Sequence, residues 1–143
     1  MESVKFIGEV HSPLKEVGDC PLLENEGAPQ VVVSIDKKYQ GAILGLKAGC
    51  KVLLFTWLHK ADRNVLTVKP RNNPSADTKG VFATRSQDRP NPIGIHEVEI
   101  LEVTNNGELR ISNLEVIDGT PLIDIKPVLN NQPLPGIGVS DLR

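Results

Sequence analysis

An all-β fold is predicted for this chain of 143 residues: a single-domain closed or nearly closed β-barrel of about seven strands with one short helix. Three observations predict it. Short β-branched or alternating segments recur along the chain, turns rich in glycine, proline and asparagine separate them, and only one stretch has helical spacing. Closure would also remove the open sheet edges that invite pairing with other chains.

The elements follow in order. Segment 4–10 alternates and is stopped by Ser12-Pro13. Segment 30–35 holds the β-branched run Val31, Val32, Val33. Segment 51–59 (KVLLFTWLH) is the most apolar and reads as a central strand buried on both faces. Segment 64–69 alternates Val65, Thr67 and Lys69 against Leu66 and Val68. Segments 80–84 and 96–103 follow, the second alternating Val98 and Ile100 against Glu97 and Glu99. Asn105-Asn106-Gly107 predicts a hairpin turn, because asparagine and glycine tolerate positive φ, and 108–114 is the returning strand. The one helical segment, 38–47, puts Tyr39, Ala42, Ile43 and Leu46 near one face, with Gly41 and Gly45 weakening it. The whole chain, 1–143, reads as one domain without repeats or a linker. Its tail, 128–143, is too rich in proline, glycine and asparagine for a helix and is expected to run extended over the barrel or a neighbouring subunit.

Composition narrows the function. Hydrophobic residues make up 39% and charged residues 24%, the balance of a soluble globular protein. No apolar run approaches the roughly 20 residues that cross a bilayer, and the N-terminus lacks a leader pattern, so a cytoplasmic protein without a membrane role is expected. Cys20 and Cys50 stand far apart, and His11, His59 and His96 have no ligand spacing, so no metal site is expected; at least one cysteine should be buried. Net charge is −2, against binding of nucleic acid by bulk charge. The stretch 60–90 nevertheless carries Lys60, Arg63, Lys69, Arg71, Lys79, Arg85 and Arg89 against Asp62, Asp77 and Asp88. There is no GxGxxG or Walker loop, which excludes a Rossmann-type cofactor site. The polar loop 72–79 is either a lid or a plain surface loop.

Two segments are too polar and too rigid for ordinary connections. In 80–94, Pro90 and Pro92 restrict the backbone, while Arg85 and Arg89 offer forked donors to internal carboxylates or to an anionic ligand. In 115–127, Asp118-Gly119 makes a turn, and Pro121 and Pro127 bracket a short apolar stretch. Asp124 there should face opposite to Ile123 and Ile125, with Lys126 as a candidate partner.

These segments resemble a known family. Phe82-Ala83-Thr84-Arg85-Ser86, Arg89-Pro90-Asn91-Pro92-Ile93-Gly94, Asp118-Gly119-Thr120-Pro121 and Asp124-Ile125-Lys126-Pro127 are similar to the signature blocks of the TsaA/TrmO family. Ser12-Pro13-Leu14-Lys15 and Phe55-Thr56-Trp57-Leu58-His59 support the match. The resemblance implies a β-barrel that binds S-adenosylmethionine, as a homodimer with the ligand near the subunit interface. It implies methyl transfer to N6 of threonylcarbamoyl-adenosine beside the anticodon of tRNA. The alternatives are a small-molecule acceptor, or a non-catalytic module that binds S-adenosylmethionine or RNA. By motif, the cofactor contacts are Pro21, His59, Lys60, Arg85, Ile95, Ser112, Asn113, Leu114 and Glu115. Arg89, Asn91 and Lys126 are the expected substrate contacts. Asp118 and Asp124 are the catalytic candidates, as proton acceptor or substrate orienter, each with a turn-forming or ion-pairing role as its alternative. The family's Pro-Arg-Gln stretch reads Pro21-Leu22-Leu23 here.

Overall fold

The computed structural model describes residues 2–15, 29–70 and 73–129. Eight strands appear in it: β1 (Gly8–His11), β2 (Val31–Ile35), β3 (Lys51–Trp57), β4 (Thr67–Val68), β5 (Lys79–Gly80), β6 (Ile93–Val103), β7 (Glu108–Ile111) and β8 (Pro121–Pro127). Six of them close a barrel in the order β1-β2-β7-β6-β3-β8, and β4 and β5 form a separate two-stranded ribbon. Every pairing in the barrel is antiparallel.

Alternation explains the barrel. In β2 and β6, successive residues switch between buried and accessible, so one face of each strand lines the interior. Val10, Val33, Val52, Leu54, Ile100 and Leu109 are fully inaccessible. Each such side chain is worth roughly 1.5–3 kcal/mol relative to exposure. The most apolar strand, β3, is buried only on its Val52, Leu54, Thr56 face. A closed barrel has an outside, so Leu53, Phe55 and Trp57 are only partly covered, contrary to the expectation of burial on both faces. Phe6 stands 6.5 Å from the Trp57 ring, and the Arg63 guanidinium lies 5.1 Å over it.

Several boundaries differ from the expected ones. The helical segment is a 3-10 helix, Lys37–Ile43, because Gly41 and Gly45 leave too little propensity for a longer α-helix. Segment 64–69 forms a strand only at Thr67–Val68. Segment 80–84 leaves the ribbon after Gly80 and turns as a 3-10 helix, Val81–Ala83. Residues 121–127 form β8, the strand that closes the barrel against β1. Its prolines stand at its two ends, where the ladder can lose a donor. A register shift opposite Phe55 and Thr56 lets Leu122 and Ile125 both face the interior side of the pairing. The Asn-Gly turn is present, with Gly107 at φ 79°. Cys50 is a half-buried free thiol. Cys20, and most of the tail 128–143, lie outside the described residues.

Candidate functional site

β3 ends where β6 and β8 begin, since Thr56 pairs with Gly94 on one side and Leu122 on the other. Three connections meet at this end of the barrel. They line a small hollow formed by 58–61, by Gln87 and by Glu115, Val116, Ile117 and Thr120. Leu58, Ala61, Val116 and Ile117 supply an apolar wall. His59, Lys60 and Glu115 supply charge and hydrogen-bonding groups.

Behind the hollow, inside the barrel, lies a polar chain that the sequence reading missed. The Thr56 hydroxyl is 2.8 Å from His96 Nε2, and His96 Nδ1 is 3.3 Å from a Glu115 carboxylate oxygen. Thr56 is fully buried and His96 is 3% exposed, whereas the Glu115 side chain is 21% exposed and reaches the hollow. An ionised carboxylate can only accept, so a neutral His96 carries its proton on Nδ1 and accepts from Thr56 at Nε2. The wiring is that of a hydroxyl–imidazole–carboxylate triad. Its hydroxyl, however, is the buried end, so it serves no nucleophile. What faces outward is the carboxylate, held by the imidazole. Gly94 makes the arrangement possible. A Cβ there would stand 2.5 Å from the Thr56 hydroxyl and 2.6 Å from His96 Nε2, closer than side chains pack. The signal available in the sequence was the inward register of His96, two residues beyond Gly94 in an alternating strand.

The two proline-bearing loops are tied down by their own residues. Arg89 donates to the carbonyls of Val81, Thr84 and Ser86, so its guanidinium closes the 81–86 corner. The Val81 carbonyl also accepts from the Thr84 amide, the 3-10 bond that turns the chain there. Arg63 donates to the Pro90 carbonyl at 2.7 Å and to Asn91 Oδ1 at 3.2 Å. The Asp62 amide donates to Asp88 at 2.8 Å. The 58–64 connection and the 88–92 loop are thereby joined. Arg85 is exposed, with no hydrogen bond or ion pair to any described residue.

Asp118 ties the start of the chain to this end. The Ser12 amide donates to Oδ1 at 2.9 Å, and Lys15 Nζ lies 3.0 Å from Oδ2. The Ser12 hydrogen bond first, and then Lys15, hold the Asp118 carboxyl below its ordinary range. A carboxyl with a depressed folded pKa adds stability above the unfolded value of roughly 3.9 and loses it as pH falls through the lower folded value. The carboxyl is 39% exposed, so the contribution is about 0–1 kcal/mol. Asp118→Asn should therefore lose less stability than wild type when the pH is lowered from 5 to 2.5, read by urea melts. Parallel curves would mean that the latch contributes nothing.

The matched domain extends over residues 9–132 and is described as the tRNA-methyltransferase O N-terminal domain. The chain belongs to this family. A probable S-adenosyl-L-methionine-binding protein of Methanothermobacter thermautotrophicus is 40% identical over 125 residues, covering 87% of this chain and 88% of that one. An S-adenosyl-L-methionine-binding protein of Archaeoglobus fulgidus is 37% identical, covering 86% of each. The crystal structure of TrmO from Pseudomonas aeruginosa superposes with a TM-score of 0.70 at 30% identity, over 90% of this chain. This chain spans only 56% of that longer one.

The residues expected to serve the TrmO-family site are distributed unevenly. His59, Lys60 and Glu115 meet in the hollow, and Arg85 stands on the loop that supplies Gln87 to it. Leu114 is fully buried in the core, so its side chain is not available to a ligand, while Asn113 is exposed. Ser112 receives the Glu99 amide at 2.8 Å and lines a second hollow with Lys51, Glu97, Val98 and Glu99. Ile95 and Asp124 lie on the outer surface, on the two strands that flank Phe55 of β3. Asp124 accepts from the Ile125 amide at 2.9 Å, and among the described residues it makes no ion pair with Lys126 or Arg85. Lys126 is exposed opposite Leu53. Asn91 is engaged by Arg63, and Arg89 by backbone carbonyls. Pro21 lies outside the described residues. No group of metal-binding side chains occurs among the described residues, and no helix there is long and apolar enough to cross a membrane.

Proposed function

We propose that the chain is an S-adenosylmethionine-dependent methyltransferase acting on N6 of threonylcarbamoyl-adenosine next to the anticodon of tRNA. The observation that carries this reading is the hollow itself: the connections after β3, before β6 and before β8 converge there with His59, Lys60 and Glu115. Its chemistry fits the cofactor. A carboxylate suits an ammonium or a pair of ribose hydroxyls, and a lysine suits a carboxylate. Arg85, on the adjoining corner and unpaired among the described residues, is the nearest candidate in sequence to complete it.

Bound S-adenosylmethionine supplies a methyl group on a sulfonium, ready for in-line displacement. The protein's work is then alignment and exclusion of water. Glu115 is held in one orientation by His96, which limits the entropy lost on binding. Lys60 and Arg85 add positive charge for the anionic end of the cofactor. Asp118, with both carboxylate oxygens engaged and its pKa lowered, is poorly suited to take a proton and keeps the 12–15 segment in place. Asp124 is accessible on the outer face, and the reading assigns it, with Lys126, the orientation of the acceptor substrate.

A second copy of the chain belongs to the same reading. Trp57, Ile93, Phe55 and Ile95 make an apolar stripe on the outer surface of β3 and β6, with Ile93 44% and Ile95 36% exposed. Asp124 borders this stripe, away from the residues in the hollow. A homodimer packed there would cover the stripe and bring the second group of motif residues to an interface. A monomer by light scattering at tens of micromolar would remove the dimer.

The deciding experiment is calorimetric titration with S-adenosylmethionine, followed by methyl transfer to tRNA with and without the threonylcarbamoyl group. One site per chain and transfer only to the modified tRNA are expected. Binding without transfer to any tRNA would move the acceptor to a small molecule or leave a sensing module. No binding up to millimolar ligand would overturn the enzyme reading.

A further inference from the structure

We propose that Phe82 is a stacking platform for an unpaired base of single-stranded RNA. The proposal rests on the tRNA reading above and adds the contact that takes hold of a splayed nucleotide. Phe82 is 85% exposed, and the other aromatic residues, Phe6, Tyr39, Phe55 and Trp57, are all much less so. A phenyl ring held in water lacks the stabilisation that apolar cover gives, so it invites a partner.

The ring is also presented rigidly. It sits in the middle of the Val81–Ala83 3-10 turn, with Val81 buried at 2% exposure as the anchor. Arg89 gathers the Val81, Thr84 and Ser86 carbonyls beneath the corner. The Thr84 hydroxyl donates to the Val81 carbonyl at 3.0 Å and accepts from the Ser86 amide at 3.2 Å. Loose loops that carry an exposed ring can fold it back onto the protein. This one is fixed, so little order remains to be created on binding.

The surroundings identify the partner. Leu66, 67% exposed, accepts the Val81 amide through its carbonyl at 2.9 Å and stands beside the corner. Lys79, three residues before Phe82, is exposed and pairs with no described residue. An aromatic face beside an unpaired lysine matches a base with its adjoining phosphate, since bases stack on aromatic rings and phosphates seek Lys and Arg. Five residues along the same clamped loop, Gln87 lines the hollow. A base caught on Phe82 is thus held on the loop that also borders the proposed cofactor site.

The test compares Phe82→Ala, Phe82→Leu and Phe82→Trp by fluorescence anisotropy, with a labelled anticodon stem-loop RNA and a fully paired hairpin. The Ala and Leu variants should bind the stem-loop 5- to 150-fold more weakly, the equivalent of ~1–3 kcal/mol per stacked base. Phe82→Trp should stay close to wild type. Affinity for S-adenosylmethionine and the melting temperature should not move. Wild-type affinity in Phe82→Leu, equal losses for the paired hairpin, or a dimer that falls apart in Phe82→Ala would each overturn the proposal. In those cases, wild-type methylation of tRNA leaves the main reading standing. Wild-type protein that binds no RNA overturns both.

Discussion

Replacement of His96 by leucine should lower stability by about 2–4 kcal/mol and weaken S-adenosylmethionine binding at least tenfold. Leucine fills much of the same volume, so the loss comes from polar partners rather than from a cavity. The Thr56 hydroxyl, fully buried, loses its contact with Nε2, and a buried hydroxyl without its partner costs about 1–3 kcal/mol. Glu115 loses the imidazole that orients its carboxylate towards the hollow. A double-mutant cycle separates the two effects. Thr56→Val in the His96→Leu background removes the stranded hydroxyl, so it should recover part of the stability and none of the affinity. Guanidinium melts and calorimetric titration read both quantities. If both stability and affinity returned together, His96 would act only as a core residue, and Glu115 would not depend on it.

The second large effect separates two arginines four residues apart. Arg89→Ala should destabilise the protein by about 3 kcal/mol, because one charged group accounts for hydrogen bonds to three carbonyls. Cofactor affinity should fall with it as the 81–86 corner loses its clamp. Arg85→Ala should leave the melting temperature within a degree or two, since the side chain makes no hydrogen bond or ion pair with a described residue. It should still weaken cofactor binding by roughly 1.5–3 kcal/mol, the worth of a hydrogen bond from a charged donor. Arg89→Lys should not rescue, because an ammonium lacks the planar fork that reaches three acceptors. If Arg85→Ala binds the cofactor normally while folded, Arg85 leaves the site. If Arg89→Ala melts like wild type, the clamp is not a source of stability.

Much of this arrangement was legible in the chain. Alternation in 96–103 and the valine run at 31–33 specify one buried face each, and the Asn-Gly turn specifies how β6 returns as β7. The motif loops drew notice through their prolines and charges, and His59, Lys60 and Glu115 do meet. β8 was harder to see, because proline argues against a strand until its ends are known to be the ends of the ladder. Residues 80–84 suit a strand, but the chain makes a 3-10 turn there, and a guanidinium from five to eight residues later clamps the Thr84 and Val81 carbonyls.

What the sequence determined by itself is whatever depends on near neighbours: the period of each strand, the turn chemistry, the basic stretch and the stiff loops. The tertiary structure decided everything that depends on which side chain meets which across the barrel. Arg89 and Arg85 are equivalent as letters and become opposite in role because the first finds three carbonyls and the second finds none among the described residues. His96 was an isolated histidine until closure of the barrel put Thr56 on one nitrogen and Glu115 on the other. Gly94 looked like part of a turn, yet its lack of a Cβ is needed 2.5 Å from a hydroxyl 38 positions away in the chain. Hydrogen bonds and steric exclusion act over a few ångströms, and only folding sets distances of that size between residues far apart in sequence.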